Sequence, residues 1–66
     1  MEEMNYNQAT LIAAQGKTLL LPYWEGYFKW DYSKKELYFK NGDYYLNEKQ
    51  LIDKGVRDRN DWYYII

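Results

Sequence analysis

The sequence predicts an α+β fold: an N-terminal helix followed by an antiparallel sheet of four or five strands, with a short helical connector before the last strand. Residues 1–66 are read as one small domain. Three observations predict this. Apolar residues recur at helical spacing only between Asn5 and Gly16. Beyond Thr18, aromatic and branched residues alternate with a period of two and are broken by turn pairs, Asn41-Gly42 above all. A second asparagine-led stretch, Asn47 to Gly55, then interrupts the strands before a hydrophobic ending.

The first helix has its own start and stop signals. Asn5 can accept from the backbone three residues on, and Gln8 is placed to reach back, which is the capping-box spacing. Ala9, Ala13 and Ala14 favour the helix, and Gly16 is placed to end it in the left-handed conformation. Tyr6, Ala9, Ile12 and Ala13 share one face, while Met4 and Leu11 fall on the other, either as a second apolar spot for an oligomer contact or with Leu11 as one exposed leucine.

Thr18 to Trp24 reads as extended, with an edge or a bend at Pro22, which has no amide hydrogen for a ladder. Glu25-Gly26 reads as a turn. From Tyr27 to Tyr32 the alternation sends Phe28, Trp30 and Tyr32 one way and Tyr27, Lys29 and Asp31 the other. A turn at Ser33-Lys34-Lys35-Glu36 then pairs Tyr32 with Leu37 and Trp30 with Phe39. A two-residue loop at Asn41-Gly42 pairs Lys40 with Asp43, Phe39 with Tyr44, Tyr38 with Tyr45 and Leu37 with Leu46. Both turns send Leu37, Phe39, Tyr44 and Leu46 to one face. Asn47, with Gln50 three residues on and Gly55 as the stop, marks the connector, whose Leu51, Ile52 and Val56 should tuck onto the sheet. Asp61 to Ile66 closes the chain as a strand with Trp62, Tyr64 and Ile66 on one side.

Composition narrows function. Nine tyrosines, three tryptophans and two phenylalanines occur in 66 residues, without a histidine or a cysteine. Histidine is the usual acid–base group near neutral pH, and cysteine is the usual soft nucleophile and zinc ligand. Rings with a polar tip instead suit recognition by stacking. No catalytic residue and no metal site is expected, and no cofactor. A serine triad is impossible without histidine, and Gly16-Lys17-Thr18 echoes the end of a phosphate loop but lacks the upstream glycine. Asp31, Asp53, Asp58 and Asp61 read as turn, cap or surface residues. Nine basic and ten acidic residues give a formal net charge of −1, with acids beside each basic cluster, so duplex nucleic acid is an unlikely partner. The longest apolar run, Leu19 to Leu21, is far too short for a membrane span, and Met1-Glu2-Glu3-Met4 is unlike a secretory signal. A chain this small without disulfides is expected to lean on an aromatic core, a partner surface, or both, hence a homo-oligomer.

The aromatics divide by parity. Phe28, Trp30, Tyr32, Phe39 and Tyr44 fall on the core side; Tyr27, Tyr38, Tyr45 and Tyr63 fall on the other. A contiguous tyrosine face is one that monomers seldom leave bare, so it either meets another subunit or stacks on a planar ligand. Tyr23-Trp24-Glu25-Gly26-Tyr27 surrounds a turn, where binding residues concentrate, and Gly26 would let a ligand or another backbone come close.

The order of these pieces resembles a known family. A helix beginning Asn5-Tyr6-Asn7-Gln8-Ala9 runs to Gly16-Lys17, and an apolar strand follows into Pro22-Tyr23-Trp24-Glu25-Gly26-Tyr27. The chain closes on Asn60-Asp61-Trp62 and hydrophobic residues. Over nearly its whole length it looks like the small phage and prophage family that includes the second class of Thoeris anti-defence proteins. The resemblance implies a small α+β homo-oligomer, typically a tetramer, in the cytoplasm of the infected bacterial host. It implies a sponge, which holds a cyclic ADP-ribose isomer without cleaving it; some relatives also hold cyclic oligonucleotides. Carried over by position, Trp24 and Gly26 near the first turn, with Asp61 and Trp62 near the end, become expected ligand-binding residues, and Tyr27 of the aromatic turn cluster joins them. Trp24 would stack on a base or wall the pocket, and Asp61 would accept from a ribose hydroxyl or an adenine amine. One departure stands out: relatives often have arginine in the strand after Gly-Lys, where this chain has Leu19-Leu20-Leu21, which either leaves Lys17, Lys29, Arg57 and Arg59 to meet phosphates or changes the ligand.

Two other function classes fit the same residues. One is a phage interaction module that inhibits a host protein through the tyrosine-rich face. The other is a single-strand nucleic-acid binder that uses tyrosines as stacking platforms, disfavoured by the lack of a positive groove.

Overall fold

The computed structural model describes residues 4–65 and has the α+β architecture. Its elements are α1 (Tyr6–Ala14), β1 (Leu19–Leu20), β2 (Tyr27–Asp31), β3 (Glu36–Asn41), β4 (Tyr44–Leu46), α2 (Glu48–Asp53), a 3-10 turn (Val56–Asp58) and β5 (Tyr63–Tyr64). The strands form one antiparallel sheet in the order β4-β3-β2-β1-β5. The last strand therefore returns past three others to lie beside the first.

Both helices start where their side chains dictate. Asn5 Oδ1 accepts from the Gln8 amide and Gln8 Oε1 from the Asn5 amide, each at 2.9 Å; Asn47 and Gln50 repeat the arrangement at 2.9 Å. Each box satisfies two amides that a helix start would otherwise leave unpaired. The predicted face of α1 holds, with Tyr6, Ala9 and Ala13 buried and Ile12 half-buried. Met4 and Leu11 do not form a second spot: Met4 packs against the core and bridges to Asp61, and Leu11 stands exposed alone.

The core lies between the helices and one face of the sheet. Leu19, Phe28, Leu37, Phe39 and Leu46 from the strands meet Tyr6, Ala9, Ala13, Leu51, Val56 and Trp62 in one cluster. Phe28 is its hub, 4.9 Å from Phe39, 4.7 Å from Trp62 and 5.3 Å from Trp24, all with tilted or edge-on rings as quadrupoles prefer.

Three sequence expectations need correction. The β3–β4 register is Asn41↔Tyr44, Lys40↔Tyr45 and Phe39↔Leu46, so the loop residues are Gly42 and Asp43, not Asn41-Gly42. Gly42 takes the positive φ of 61° at the first central position, the glycine-first solution for a two-residue loop. The β2–β3 pairing moves in the same way: Trp30 faces Leu37 and Phe28 faces Phe39, because Asp31 Oδ1 accepts from the amides of Ser33 (2.9 Å) and Lys34 (3.1 Å) and ends the strand early. Each slip is two residues, so every side chain keeps its face. Tyr44 and Tyr32, both expected in the core, nevertheless end up mostly exposed, since Leu46 takes the place opposite Phe39 and Tyr32 falls in the turn after β2.

The third correction concerns β1 and β5. Thr18–Trp24 contributes only Leu19–Leu20 to the sheet, between β2 and β5 and not at an edge. Pro22 then turns the chain: Trp24 N donates to Leu21 O at 3.3 Å, and Tyr23 holds φ 69°. Proline followed by a positive φ is the type II turn pattern, with tyrosine where glycine is usual. The closing strand is likewise only Tyr63–Tyr64. Ile66, expected on the same side as Trp62 and Tyr64, and the acidic Met1-Glu2-Glu3 lie outside the described residues.

Candidate functional site

Among the described residues, the helices pack on one face of the sheet and leave the other open. Across it, Tyr45 on β4 pairs with Lys40 on β3, and Lys40 with Tyr27 on β2. Leu20, one residue on from the partner of Phe28, carries the row to Tyr63 on β5. A second row pairs Tyr38 with Lys29, and a third Glu36 with Asp31. None of these residues is buried. The tyrosine face read from alternation is thus contiguous, and it holds Lys29, which the alternation already put there, together with Lys40. Tyr38 lies diagonal to Tyr45 and stacks on it, centroids 5.6 Å apart at 28°. Burial, then the neighbouring Tyr27, Asp31 and Tyr45, push the Tyr38 phenol above its ordinary value.

The five residues expected to hold a ligand fall in three places. Trp24 is half-buried at the sheet end, edge-on to Phe39 at 5.2 Å. Gly26 is explained by packing: a Cβ there would lie 2.5 Å from Phe39 Cζ and 2.6 Å from the Lys40 carbonyl oxygen. The close approach expected of Gly26 is real, and what approaches is the protein's own β3. Tyr27 points to the opposite side, onto the open face.

Asp61 and Trp62 are adjacent in sequence but differ in environment. Asp61 is exposed and receives both Arg59 Nε (2.8 Å) and Arg59 Nη2, a two-pronged pair that holds its carboxyl below the usual range. In this arrangement its oxygens are engaged, so a ligand hydroxyl would compete with Arg59. Trp62 is 2 % exposed and wedged between Phe28 and Tyr6, so no ring face is free for stacking. Its Nε1 and the Tyr6 hydroxyl are buried with no hydrogen-bond partner among the described residues. Burial first, then Glu48, pushes the Tyr6 phenol up to about 12.

Shallow concavities lie elsewhere. One of about 150 Å³ sits beside the end of α1, lined by Ala13, Gly16, Lys29, Trp30, Tyr32 and Tyr38. One of about 270 Å³ adjoins Asn5, Asn7 and Arg57, and one of about 400 Å³ opens between β4 and α2. The first brings together residues that the sequence reading kept apart, since Tyr32 and Trp30 were assigned to the core and Gly16 to a helix stop. Only the fold of α1 back onto β2 joins them, with Tyr32 Oη donating to the Ala14 carbonyl at 3.0 Å.

Among the described residues no helix is long and apolar enough to cross a membrane, and no group of three or more acidic, histidine or cysteine residues is placed to hold a metal. Comparison of the chain with family models, with curated proteins and with solved structures gave no match to any of them.

Proposed function

We propose that this protein is a non-enzymatic binder of a nucleotide-type signal, of the cyclic ADP-ribose class, and that it works as a homo-oligomer that sequesters the signal during phage infection. The observation that carries this reading is the open sheet face, where four tyrosines and two lysines are interleaved on adjacent strands. Flat rings next to cations match the two halves of a nucleotide, its bases and its phosphates. The family resemblance of Gly16-Lys17, Trp24 and Asp61-Trp62 points to the same ligand class.

One chain presents this face as a nearly flat surface, and small ligands are gripped in concave sites of roughly 300–1,000 Å³. A second copy supplies the missing wall, which is why oligomer and ligand belong to one proposal. Of the expected ligand residues, Tyr27 lies on that face and Asp61 is exposed, while Trp24 is half-buried against the core and Gly26 and Trp62 support the fold from within. Release of intact ligand follows from a site made of rings, amines and a paired carboxylate.

The experiment is retention. Purified protein is mixed with cyclic ADP-ribose, freed of unbound ligand by gel filtration, and heat-denatured, and the supernatant is analysed by mass spectrometry. Intact cyclic ligand in stoichiometric amount supports the reading; no retention, or linear ADP-ribose, contradicts it. The alternative, inhibition of a host protein, draws on the exposure of Tyr45 and Tyr63 at the two flanks of the face. One stoichiometric partner pulled from host lysate, with no ligand retained, would favour it.

A further inference from the structure

We infer that the cleft beside the end of α1 is a binding site for one planar base of a nucleotide, with Lys29 placed to meet the attached phosphate. The inference deepens the proposed function and rests on it for the class of ligand. The cleft arises from a gap in the ladder. β1 and β2 share the single registered pair Leu19↔Phe28, so from Lys29 onward β2 has a strand on its β3 side only. The other side faces the α1–β1 turn, where Ala13 and Gly16 bring almost no side chain. Gly16 holds φ 95°, a conformation that keeps larger residues out.

Three rings surround the space, Trp30, Tyr32 and Tyr38. Two of them are held in place before any ligand arrives: Tyr32 by its hydroxyl bond to Ala14, and Tyr38 by its stack on Tyr45. Walls fixed in advance lose little freedom on binding. The volume, about 150 Å³, decides what fits. A cavity of roughly that size holds one benzene ring, whereas whole ligands need several times more. One ring enters and the remainder of the molecule stays outside. Lys29, paired with Tyr38 across the strands, is the cation in the wall. An aromatic slot with a lysine at its side suits a ring that carries a negative group, and stacking on such walls accepts any base.

The test is a titration of the ¹⁵N-labelled protein with AMP, adenosine and cyclic ADP-ribose, with Lys29→Gln and Tyr38→Ala beside the natural chain. AMP is expected to shift the Trp30 indole and the Gly16 amide saturably. Tyr38→Ala should weaken it about tenfold, as loss of one base–ring stack does, and Lys29→Gln should weaken AMP while sparing adenosine. If Tyr38→Ala does not fold, the comparison of AMP with adenosine in Lys29→Gln carries the test. Absence of shifts at Trp30 and Gly16 with millimolar AMP overturns the inference, as does unchanged AMP affinity in Lys29→Gln. If cyclic ADP-ribose is retained but perturbs only Tyr27, Lys40 and Tyr45 on the open face, the cleft is refuted and the proposed function stands. If AMP fills the cleft and cyclic ADP-ribose is not retained, the cleft stands and the signal assignment falls.

Discussion

Replacing Tyr6 by phenylalanine should stabilise this protein, against the usual rule that changes in a core destabilise it. The ring of Tyr6 is buried against Trp62 at 6.0 Å and is retained by phenylalanine. Only the hydroxyl is lost, and it has no hydrogen-bond partner among the described residues. A buried polar group left unpaired costs about 1–3 kcal/mol, so its removal should return about 1 kcal/mol after some loss of packing. In a domain of this size that corresponds to a rise in Tm of about 4–8 °C. The same hydroxyl gives a pH signature. Its pKa stands at about 12 in the fold against 10.0 for an ordinary tyrosine, chiefly through burial. A phenol whose folded value is raised contributes stability that is fully present below the ordinary value and is lost as pH rises through the folded one. A rise of about two units corresponds to roughly 2–3 kcal/mol lost between pH 10 and 12. Urea unfolding followed by circular dichroism, at pH 7 and through the alkaline range, reads both effects. Tyr6→Phe should be more stable at pH 7 and should lose less on going alkaline. A variant less stable at pH 7 by more than about 0.5 kcal/mol would refute the reasoning, because the hydroxyl would then have a partner.

Other expectations follow from single contacts. Gly26→Ala should destabilise by about 2–4 kcal/mol in the same urea assay, since its methyl meets Phe39 and the Lys40 carbonyl and φ is 141°. Tyr23→Gly should be neutral or stabilising by up to about 1 kcal/mol in thermal melts, because it relieves a left-handed tyrosine that is fully exposed. Asp61→Asn should change stability by less than about 1 kcal/mol, the pair with Arg59 being exposed. What little that pair contributes is present above the ordinary carboxylate range and fades as pH falls below it, so the variant and natural chain should converge in acid.

Much of the fold was legible because its signals are local. Both capping boxes, the helix face of Tyr6, Ala9 and Ala13, and the two-residue period of Phe28, Leu37 and Phe39 lie within a few residues of one another, and each holds. Register was less legible: a turn can shift by one residue without changing which side chains face inward, and here both did. The deciding forces were the Asp31 carboxylate bonding the next loop and Leu46 filling the space beside Phe39. The tyrosine face could be read from parity alone. The burial of Trp62 agrees with its place in the alternation, but the short lengths of β1 and β5, the engagement of Asp61 by Arg59 and the cleft joining Gly16 to Trp30 all depend on how distant segments meet, which spacing does not encode.

The central claim is that the open ring-and-lysine face gathers copies of this chain around a nucleotide signal. Native mass spectrometry of the purified protein, before and after addition of cyclic ADP-ribose, tests it most directly. The account predicts an oligomer that gains the mass of the intact ligand; a monomer whose mass does not change would contradict it.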